Sequence, residues 1–546
     1  MSTLDKPTLI VGSGACAKRV IEQLSAAGTQ LLVLTADDHL TIDGTGSDDA
    51  GNAAIETLTN TTIHRCLQKE NTFHLNFTCE GNAYSRTVSS IIVAGAERRS
   101  ANFSLYGLRP SNRVIPLSEA IRQAEIESDA LLFSQDADNI VFLTSLFSES
   151  NPVIAAEVMQ TALRLQTHSR KNKKPAQTYI LMKNLKVAGD HLEALYRETK
   201  QAGTVYIKFT HTLPEIDQTD NDVLISFTDE VTGLPFRLTP GITVVDETIS
   251  APDRTDDLSA LFGLEKDDSG FAQADNVHRL PVFTNRNGIF IAGASRDILS
   301  PQDQIRDADN AALADLAWLK TPIPPADEKA VIDKGKCVRC LTCYRLCPYH
   351  AISLDVYPEV MPAACERCGI CAAECPQHAI DIRDLGRQEM IDRFGDSVKA
   401  LSDDRFSPYI LVFGCSRSGN QAARLAALMG SDLPEHLKII EVPCAGSLSL
   451  GHILSGYQHG ADGIMVLTCH EGNCHSRQGN THAHNRIDHL KTELEQIGYD
   501  SQRLEIHTIA SNMGAEFAAL IQDFAKKTMK IGPSPLGYSA NRPAVN

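Results

Sequence analysis

Eight cysteines between residues 337 and 375 repeat one spacing twice. Each run reads C-x2-C-x2-C-x3-C-P, the pattern that holds a 4Fe-4S cube. In this pattern three closely spaced thiolates bind one cube, and the fourth cysteine of each run, which precedes a proline, binds the neighbouring cube. The first predicted ligand set is therefore Cys337, Cys340, Cys343 and Cys375, and the second is Cys347, Cys365, Cys368 and Cys371.

Zinc sites and disulfide scaffolds are the two other common uses of closely spaced cysteines. A zinc ion needs one set of four ligands, whereas these runs form two interlocked sets. Disulfide scaffolds are typical of small secreted chains, and this chain has 546 residues. The sequence therefore predicts two 4Fe-4S clusters, and a chain that moves electrons.

A second group of cysteines lies near the C-terminus, and most of its members follow apolar, strand-like segments. The ends of parallel strands meet at one edge of a sheet, so loops that are distant in sequence converge there. Four thiolates brought together in this way favour one further cluster, most simply 2Fe-2S, although buried packed cysteines are the alternative. The members of this group are Cys415, Cys444, Cys469 and Cys474.

Other candidate ligands have weaker patterns. Five histidines near the last cysteines are irregularly spaced in a polar context, which fits a solvated loop and helix better than a zinc site. Three remaining cysteines have no partner at ligand spacing and are expected to be structural thiols. The histidines are His470, His475, His482, His484 and His489, and the cysteines are Cys16, Cys66 and Cys79.

The N-terminal segment reads strand, glycine turn, helix, strand. Its turn carries Gly12, Gly14 and Ala17 in a G-x-G-x-x-A pattern, which allows a pyrophosphate to approach a helix N-terminus. The acid that usually follows the second strand and holds the ribose hydroxyls is replaced by Thr35, with aspartates at positions 37 and 38. A dinucleotide fold follows from this pattern, and FAD is its candidate cofactor.

Two further apolar strands end in glycine turns and extend the same domain. They run from Ser90 to Ala94, ahead of Gly95, and from Gly288 to Ala292, ahead of Gly293 and of a helix expected at residues 301–319. In flavoproteins with two dinucleotide domains, such a late strand returns to the first domain and its turn approaches the flavin. Gly95 and Gly293 are therefore also candidate cofactor-binding residues.

These segments predict a multidomain α/β protein. It comprises a FAD/NAD(P)-type Rossmann-like domain with a second α/β lobe, a 2x4Fe-4S ferredoxin-like module and a C-terminal parallel α/β domain. The expected divisions are 1–130 and 251–320 for the flavoprotein domain, 131–250 for the second lobe, 321–335 and 386–404 for linkers, 336–385 for the ferredoxin-like module, 405–530 for the C-terminal iron-sulfur domain and 531–546 for a flexible tail.

Bulk composition restricts the partners and the cellular compartment that suit this chain. The formal net charge of -17 argues against a nucleic-acid partner. We find neither a secretory signal nor an apolar stretch of membrane-spanning length, and the many cluster thiolates need a reducing compartment. We therefore expect a cytoplasmic protein without a membrane span of its own, which reaches a membrane only through a partner protein.

The sequence resembles two known families, which together account for nearly all of it. Residues 1 to about 385 resemble a shortened A subunit of heterodisulfide reductase, most clearly at Tyr179–Gly189 and Gly288–Gly293. Residues 405–526 resemble the delta subunit of methyl-viologen-reducing hydrogenase, most clearly in the motif Cys469–His475. The fusion is similar to the B subunit of the quinone-interacting membrane-bound oxidoreductase.

This resemblance implies partners and cofactors. In the delta-subunit family a 2Fe-2S cluster passes electrons to the heterodisulfide reductase protein, which carries flavin and iron-sulfur clusters. The resemblance therefore implies a hetero-oligomer with heterodisulfide reductase-like, hydrogenase-like or membrane quinone-reactive redox subunits.

The chain departs from the family pattern in three places. Residues 145–150 contain no cysteines where the heterodisulfide reductase family carries ligands of an additional cluster, so that cluster should be absent. Thr35 replaces the acid of the flavin motif. Ser418 stands where the delta subunits have the second cysteine of a C-x2-C pair, which leaves the four C-terminal thiols named above.

We expect an electron-transfer subunit without a substrate-converting site of its own, because no nucleophile, base or substrate motif accompanies the cluster sites. One alternative is a self-contained flavin and iron-sulfur oxidoreductase acting on a pyridine nucleotide or a disulfide. The sequence contains no second G-x-G-x-x-G and no redox-active C-x2-C outside the ferredoxin runs, which argues against this alternative. Another is an adaptor whose flavin-type domain serves only as a docking surface.

Overall fold

The computed structural model describes residues 6–37, 55–69, 72–126, 138–149, 151–171, 177–189, 191–220, 222–272, 279–321, 329–394 and 406–537. Asp38, much of the two expected linkers and the end of the expected tail lie outside these ranges. Within them, no helix combines the length and the apolar character that crossing a bilayer requires.

The first sheet consists of five parallel strands, and the apolar runs of all but the edge strand Ile55–Leu58 are buried. Its strands, in spatial order, are Ile289–Ile291, Ser90–Val93, Thr8–Val11, Leu31–Leu34 and Ile55–Leu58. Helices Gly14–Ala26 and Pro301–Lys320 cover one face, and an antiparallel sheet of Thr61–Lys69, Thr72–Cys79 and Asn82–Val88 covers the other. The late strand therefore returns to the first sheet, as the sequence predicted.

The second sheet is also parallel and has five strands. In spatial order they are Val205–Lys208, Gln177–Met182, Asn139–Leu143, Ile242–Val245 and Val114–Pro116. This lobe also contains helices Leu117–Ile126, Pro152–Lys171 and Leu192–Ala202 and an antiparallel sheet of Glu215–Thr219, Asp222–Thr228 and Pro235–Leu238. The ribbon Arg98–Ala101 with Glu247–Ser250 and the helix Thr255–Phe262 connect it to the first sheet.

Short hairpins build the cysteine-rich module. Ala330–Ile332 pairs with Ile380–Ile382, and Ile352–Leu354 pairs with Pro358–Val360. Two short helices, Thr342–Leu346 and Ile370–Ala373, each follow the first two cysteines of one run. A core of small and apolar residues, including Ala364 and Ile380, holds the two halves together.

The C-terminal domain has a four-stranded parallel sheet. Its spatial order is Leu437–Val442, Ile410–Cys415, Gly463–Thr468 and Leu504–Thr508. Helices Arg387–Phe394, Gly419–Leu428, Leu450–Gln458, Gly479–Gln496 and Gly514–Ile531 surround it. The central strands are fully buried, which explains their unbroken apolar sequence.

A buried carboxyl group joins the helix Pro301–Lys320 to the first sheet. Asp315 is fully buried and accepts a hydrogen bond of 2.9 Å from the Thr8 hydroxyl, which lies 3.0 Å from the Ser90 hydroxyl. Burial raises the pKa of Asp315 to about 6. An acid whose pKa is higher in the folded than in the unfolded state weakens folding as the pH rises between those two values.

The stability of the variant Asp315→Asn relative to the parent should therefore rise with pH. The advantage is expected to grow by about 1 to 2 kcal/mol between about pH 5 and pH 8 and to level off above pH 7, because the parent carboxylate is then fully ionised. Calorimetric unfolding at a series of pH values measures this difference. A stability difference that does not change with pH would contradict the assignment.

Candidate iron-sulfur and dinucleotide sites

The first predicted ligand set surrounds one cavity, which we call the outer site. Its sulfur ligands come from the loop before the helix Thr342–Leu346, from that helix and from the end of the second run. The Cys340 residue is exposed, whereas Cys343 is buried. The four cysteines that line this cavity are Cys337, Cys340, Cys343 and Cys375.

The second predicted ligand set surrounds a separate cavity, which we call the inner site. Burial raises the pKa of the Cys368 thiol to about 12, so metal binding must displace tightly held protons. The four cysteines that line it are Cys347, Cys365, Cys368 and Cys371. In both cavities the structure thus brings together three cysteines of one run and the fourth of the other, the grouping expected from the spacing.

The two runs have the same backbone conformation at equivalent positions. Positive φ angles occur at Arg339 and Leu341 in the first run and at the matching Arg367 and Gly369 in the second. The Cys347 and Cys375 sulfurs each accept a hydrogen bond of 3.3 Å from the backbone N–H four residues later. These turns place backbone amides beside the thiols, where they stabilise bound anionic sulfur.

The donor sets suit clusters better than single metal ions. In the part of the chain that the structure describes, no group of three or more His, Cys, Asp or Glu side chains is arranged to hold one metal ion. Each thiolate of a cube binds a different iron, so its ligands stand farther apart than the four ligands of one zinc ion. The two cavities, each lined by four cysteines, fit 4Fe-4S cubes.

Four further thiols meet at the carboxyl edge of the C-terminal sheet. Cys415 ends its strand, Cys444 and Cys469 follow the neighbouring strands, and Cys474 lies in the next loop. All four are buried in one cluster, and the sulfur atoms of Cys415 and Cys469 are 3.6 Å apart. We call this group the C-terminal site.

Hydrogen bonds between these thiols divide them into donors and acceptors. The Cys469 thiol lowers the pKa of Cys415 to about 7, and hydrogen bonds from Cys444 and Cys469 lower the pKa of Cys474. These hydrogen bonds favour the thiolate forms of Cys415 and Cys474. Four converging cysteines are the ligand set of a 2Fe-2S cluster, and these residues fit one.

Most of the histidines near the C-terminal site contact groups other than the four thiols. His475 Nδ1 lies 2.9 Å from the Tyr349 hydroxyl, and His484 Nε2 lies 3.3 Å from the Thr468 hydroxyl. His482 lies near Glu374, His489 pairs with Glu493, and no hydrogen bond or ion pair within the described ranges places the His470 side chain at the thiols. These side chains stay spread over the loop and the helix Gly479–Gln496.

The inner site and the C-terminal site are in direct contact. Cys368 packs against the four C-terminal thiols. A Cβ atom added to Gly369 would lie 2.3 Å from Ser447 Cβ, and one added to Gly479 would lie 2.3 Å from Cys444 Sγ. Sequence patterns did not identify these two glycines as spacers, because only the folded chain shows what faces them.

Ion pairs and hydrogen bonds hold the inner site and the C-terminal site in one relative position. Arg486 pairs with Glu374, which precedes the outer-site ligand Cys375, and donates to the backbone carbonyl of Leu448. The Tyr349 hydroxyl also lies 3.1 Å from Ser476 Oγ. These bonds link the ferredoxin-like module to the loop that carries Cys474.

A cleft of about 370 Å³ opens at the glycine turns of the first sheet. Gly12 and Gly95 line it, together with Ser13, at the start of the helix Gly14–Ala26, and Ser295. Gly12 has a φ of 138°, and an added Cβ would lie 2.1 Å from the Ala94 carbonyl oxygen, so only glycine fits. Ser13 makes no side-chain cap, so the first-turn amides lack that acceptor and suit a pyrophosphate.

The remaining candidate flavin residues are not among the residues that line the cleft. Ala17 is buried in the core between helix and sheet. Gly293 packs against Cys16, where an added Cβ would lie 2.7 Å from the Cys16 sulfur, and Gly14 is not among the residues that line the cleft. Ala17 and Gly293 thus serve close packing, whereas Gly14 is explained by its φ of 86°, which favours glycine.

Asp37 supplies a carboxylate where the family acid is replaced. Thr35 is buried, and its hydroxyl accepts a hydrogen bond of 3.1 Å from the Asp37 backbone N–H. Asp37 lines the cleft and is exposed. The substitution therefore shifts the carboxylate by two residues, and the residues of this cleft fit an adenine dinucleotide such as FAD.

The other two departures from the family pattern lie in a loop and at the start of a helix. Ser145 has a positive φ of 54° and donates its backbone N–H to Asp246 Oδ2 at 2.9 Å, which closes this loop without cysteines. Ser418 is buried and occupies the position before the helix Gly419–Leu428.

Residues 410–532 match the family of methyl-viologen-reducing hydrogenase delta subunits, and residues 330–353 match the 4Fe-4S binding domain. The iron-sulfur D subunit of the F420-non-reducing hydrogenase of Archaeoglobus profundus is 31% identical over 130 residues, which cover 24% of this chain and 95% of that protein.

The N-terminal part has a different relative. The A subunit of the ferredoxin/F420H2-dependent CoB-CoM heterodisulfide reductase of Methanosarcina acetivorans is 26% identical over 353 residues, 64% of this chain. The match spans only 44% of that protein. The thioredoxin reductase of Lactococcus lactis aligns over 57% of this chain and 99% of its own, with 14% identity and a TM-score of 0.37.

The variant Gly479→Ala should lose the metal of the C-terminal site, because the added methyl group would collide with the Cys444 sulfur. We expect about two fewer irons per chain, with both cubes retained. Gly451→Ala is the matched control, since it lies in the first turn of another helix and its Cβ meets only Ser449 Oγ at 3.6 Å. Iron analysis and electron paramagnetic resonance measure the loss; full iron in Gly479→Ala would contradict the site.

Proposed function

We infer the function from the family: through residues 410–532 this chain belongs to the methyl-viologen-reducing hydrogenase delta-subunit family. That domain follows a part related to the A subunit of heterodisulfide reductase. We propose that the chain is an electron-transfer subunit of a redox complex. Two 4Fe-4S clusters, one 2Fe-2S cluster and FAD are its proposed cofactors. When bound, the clusters carry single electrons and the flavin exchanges one and two electrons.

The observation that carries this proposal is the packing of Cys368 against the four C-terminal thiols. Cys368 belongs to the inner ligand set, so the residues that hold two different clusters are in van der Waals contact. A chain that used its clusters only for folding would not need the two ligand sets to touch. Close ligand sets are what a continuous electron path requires.

The inner site also faces the dinucleotide domain. Asn285 donates a hydrogen bond of 3.2 Å to the Pro348 carbonyl, directly after Cys347, and Asn287 donates to the Ala363 carbonyl at 3.2 Å. The inner site thus contacts both flanking domains, whereas the outer site exposes Cys340. We assign the outer site as the point of electron exchange with another protein of the complex.

The proposed partners are other redox subunits of heterodisulfide reductase-like, hydrogenase-like or membrane quinone-reactive type. The chain would work in the cytoplasm and reach a membrane only through such a partner. Purification of the native complex from its source and identification of its components by mass spectrometry would distinguish these three partner classes.

A reductive titration tests the cofactor set. The anaerobic protein should contain about ten irons and accept about five electrons, one for each cluster and two for FAD. Gly12→Ala should lose the flavin and about two of these electrons, because the new Cβ meets the Ala94 carbonyl. Gly28→Ala is the control, since Gly28 has a φ of 80° but nothing within 4 Å of an added Cβ.

Retention of FAD by Gly12→Ala would remove the dinucleotide cleft from the proposal. About eight irons in the parent would remove the C-terminal cluster.

A relay role also predicts a negative result. NADH or NADPH alone should not reduce the clusters of the purified chain within minutes, whereas dithionite should reduce them completely. The physical reason is that the glycine-turn pattern for a dinucleotide occurs once, at Gly12–Ala17. Steady oxidation of NADH by the isolated chain would favour the self-contained oxidoreductase instead.

A further inference from the structure

Arg286 is a buried cation between the dinucleotide domain and the inner site. Its side chain is 7% exposed. One terminal nitrogen donates to the Phe262 carbonyl at 2.8 Å, and the other donates to Gln68 Oε1 at 2.8 Å. Its Nε atom has no hydrogen-bond partner within the described ranges, and no carboxylate there forms an ion pair with it. A buried guanidinium without a counterion is costly to fold.

The groups around Arg286 leave one candidate for its counterion. Burial raises the pKa of the Cys66 thiol to about 12, so that neighbour is neutral. Asn285, the residue before Arg286, donates to the carbonyl of Pro348, the residue after Cys347. Arg286 therefore lies against the loop that carries an inner-site ligand.

Unsatisfied donors in the same place support this interpretation. Gln68 is buried and its Nε2 atom lacks a partner, like the Nε atom of Arg286. Both atoms are N–H donors, and an acceptor or a negative charge would compensate them. A cluster with four thiolate ligands provides such a charge.

We propose that Arg286 is the electrostatic counterion of the inner cluster and raises its reduction potential above that of the outer cluster. The inference rests on the ligand assignment of the proposed function. An added electron makes a cluster more negative, so a nearby buried cation stabilises the reduced form more than the oxidised form. Arg339 and Arg345 near the outer site are exposed, and water screens their charges. An electron therefore rests on the inner cluster, beside the C-terminal site.

Potentiometric titration followed by electron paramagnetic resonance tests the proposal on the full chain. In Arg286→Met the equilibrium constant for reducing the inner rather than the outer cluster should fall at least tenfold, which is about 59 mV for one electron. Arg286→Lys keeps the charge and should retain the parent potentials. Arg339→Met removes an exposed arginine beside the outer site and should leave the inner cluster unchanged. A Cys337→Ala protein, which loses the outer cluster, identifies the inner signal.

Gln68→Glu provides a second variant if loss of Arg286 prevents folding. It places a carboxylate on the guanidinium and should lower the inner potential in the same direction without removing the arginine. Unchanged potentials in Arg286→Met and Gln68→Glu, with iron content at the parent level, overturn the inference and leave the proposed function standing. A parent protein without two cubes overturns both.

Discussion

The contact between the inner and C-terminal sites depends on the absence of side chains at three glycines. Gly369 faces Ser447, Gly479 faces the Cys444 sulfur, and an added Cβ at Gly446 would lie 2.7 Å from the Gly479 carbonyl oxygen. Backbone therefore meets backbone and sulfur directly, and interiors packed at this density cannot take up an extra methyl group without displacement. The position of the ferredoxin-like module relative to the C-terminal domain follows from this close approach.

Ion pairs near the contact between the inner and C-terminal sites fix the relative orientation of the domains. They are not the main source of the free energy of that contact. Arg279 is 5% exposed and pairs with Glu265 at 2.9 Å, while Glu265 also faces Arg477 in the loop after Cys474. Removal of one partner would leave a buried charge without compensation, so such a network tolerates few relative positions of the domains. A fixed position matters for electron transfer, because ligand sets that moved apart would break the path.

The dinucleotide domain shows how substitutions in a motif can be accommodated locally. Thr35 replaces the usual acid, yet its hydroxyl holds the backbone of Asp37, whose carboxylate lines the same cleft. Gly293, expected near the cofactor, instead permits close packing on Cys16. A glycine required by packing and a glycine required by a ligand look alike in sequence, because both are defined by what lies opposite the missing Cβ.

Features that depend on neighbours along the chain were predictable before the fold was known. The spacing of the eight cysteines predicted both ligand sets, since short loops can wrap a cube in few ways, and the apolar runs predicted many, but not all, of the strands of the three parallel sheets. The folded chain was needed to show which ligand sets touch, that Cys368 meets the C-terminal thiols, and that Arg286 and Asp315 are buried. In the sequence Arg286 stands between two asparagines, in a polar stretch. Its burial arises from residues far apart in the chain, whose packing no local pattern encodes.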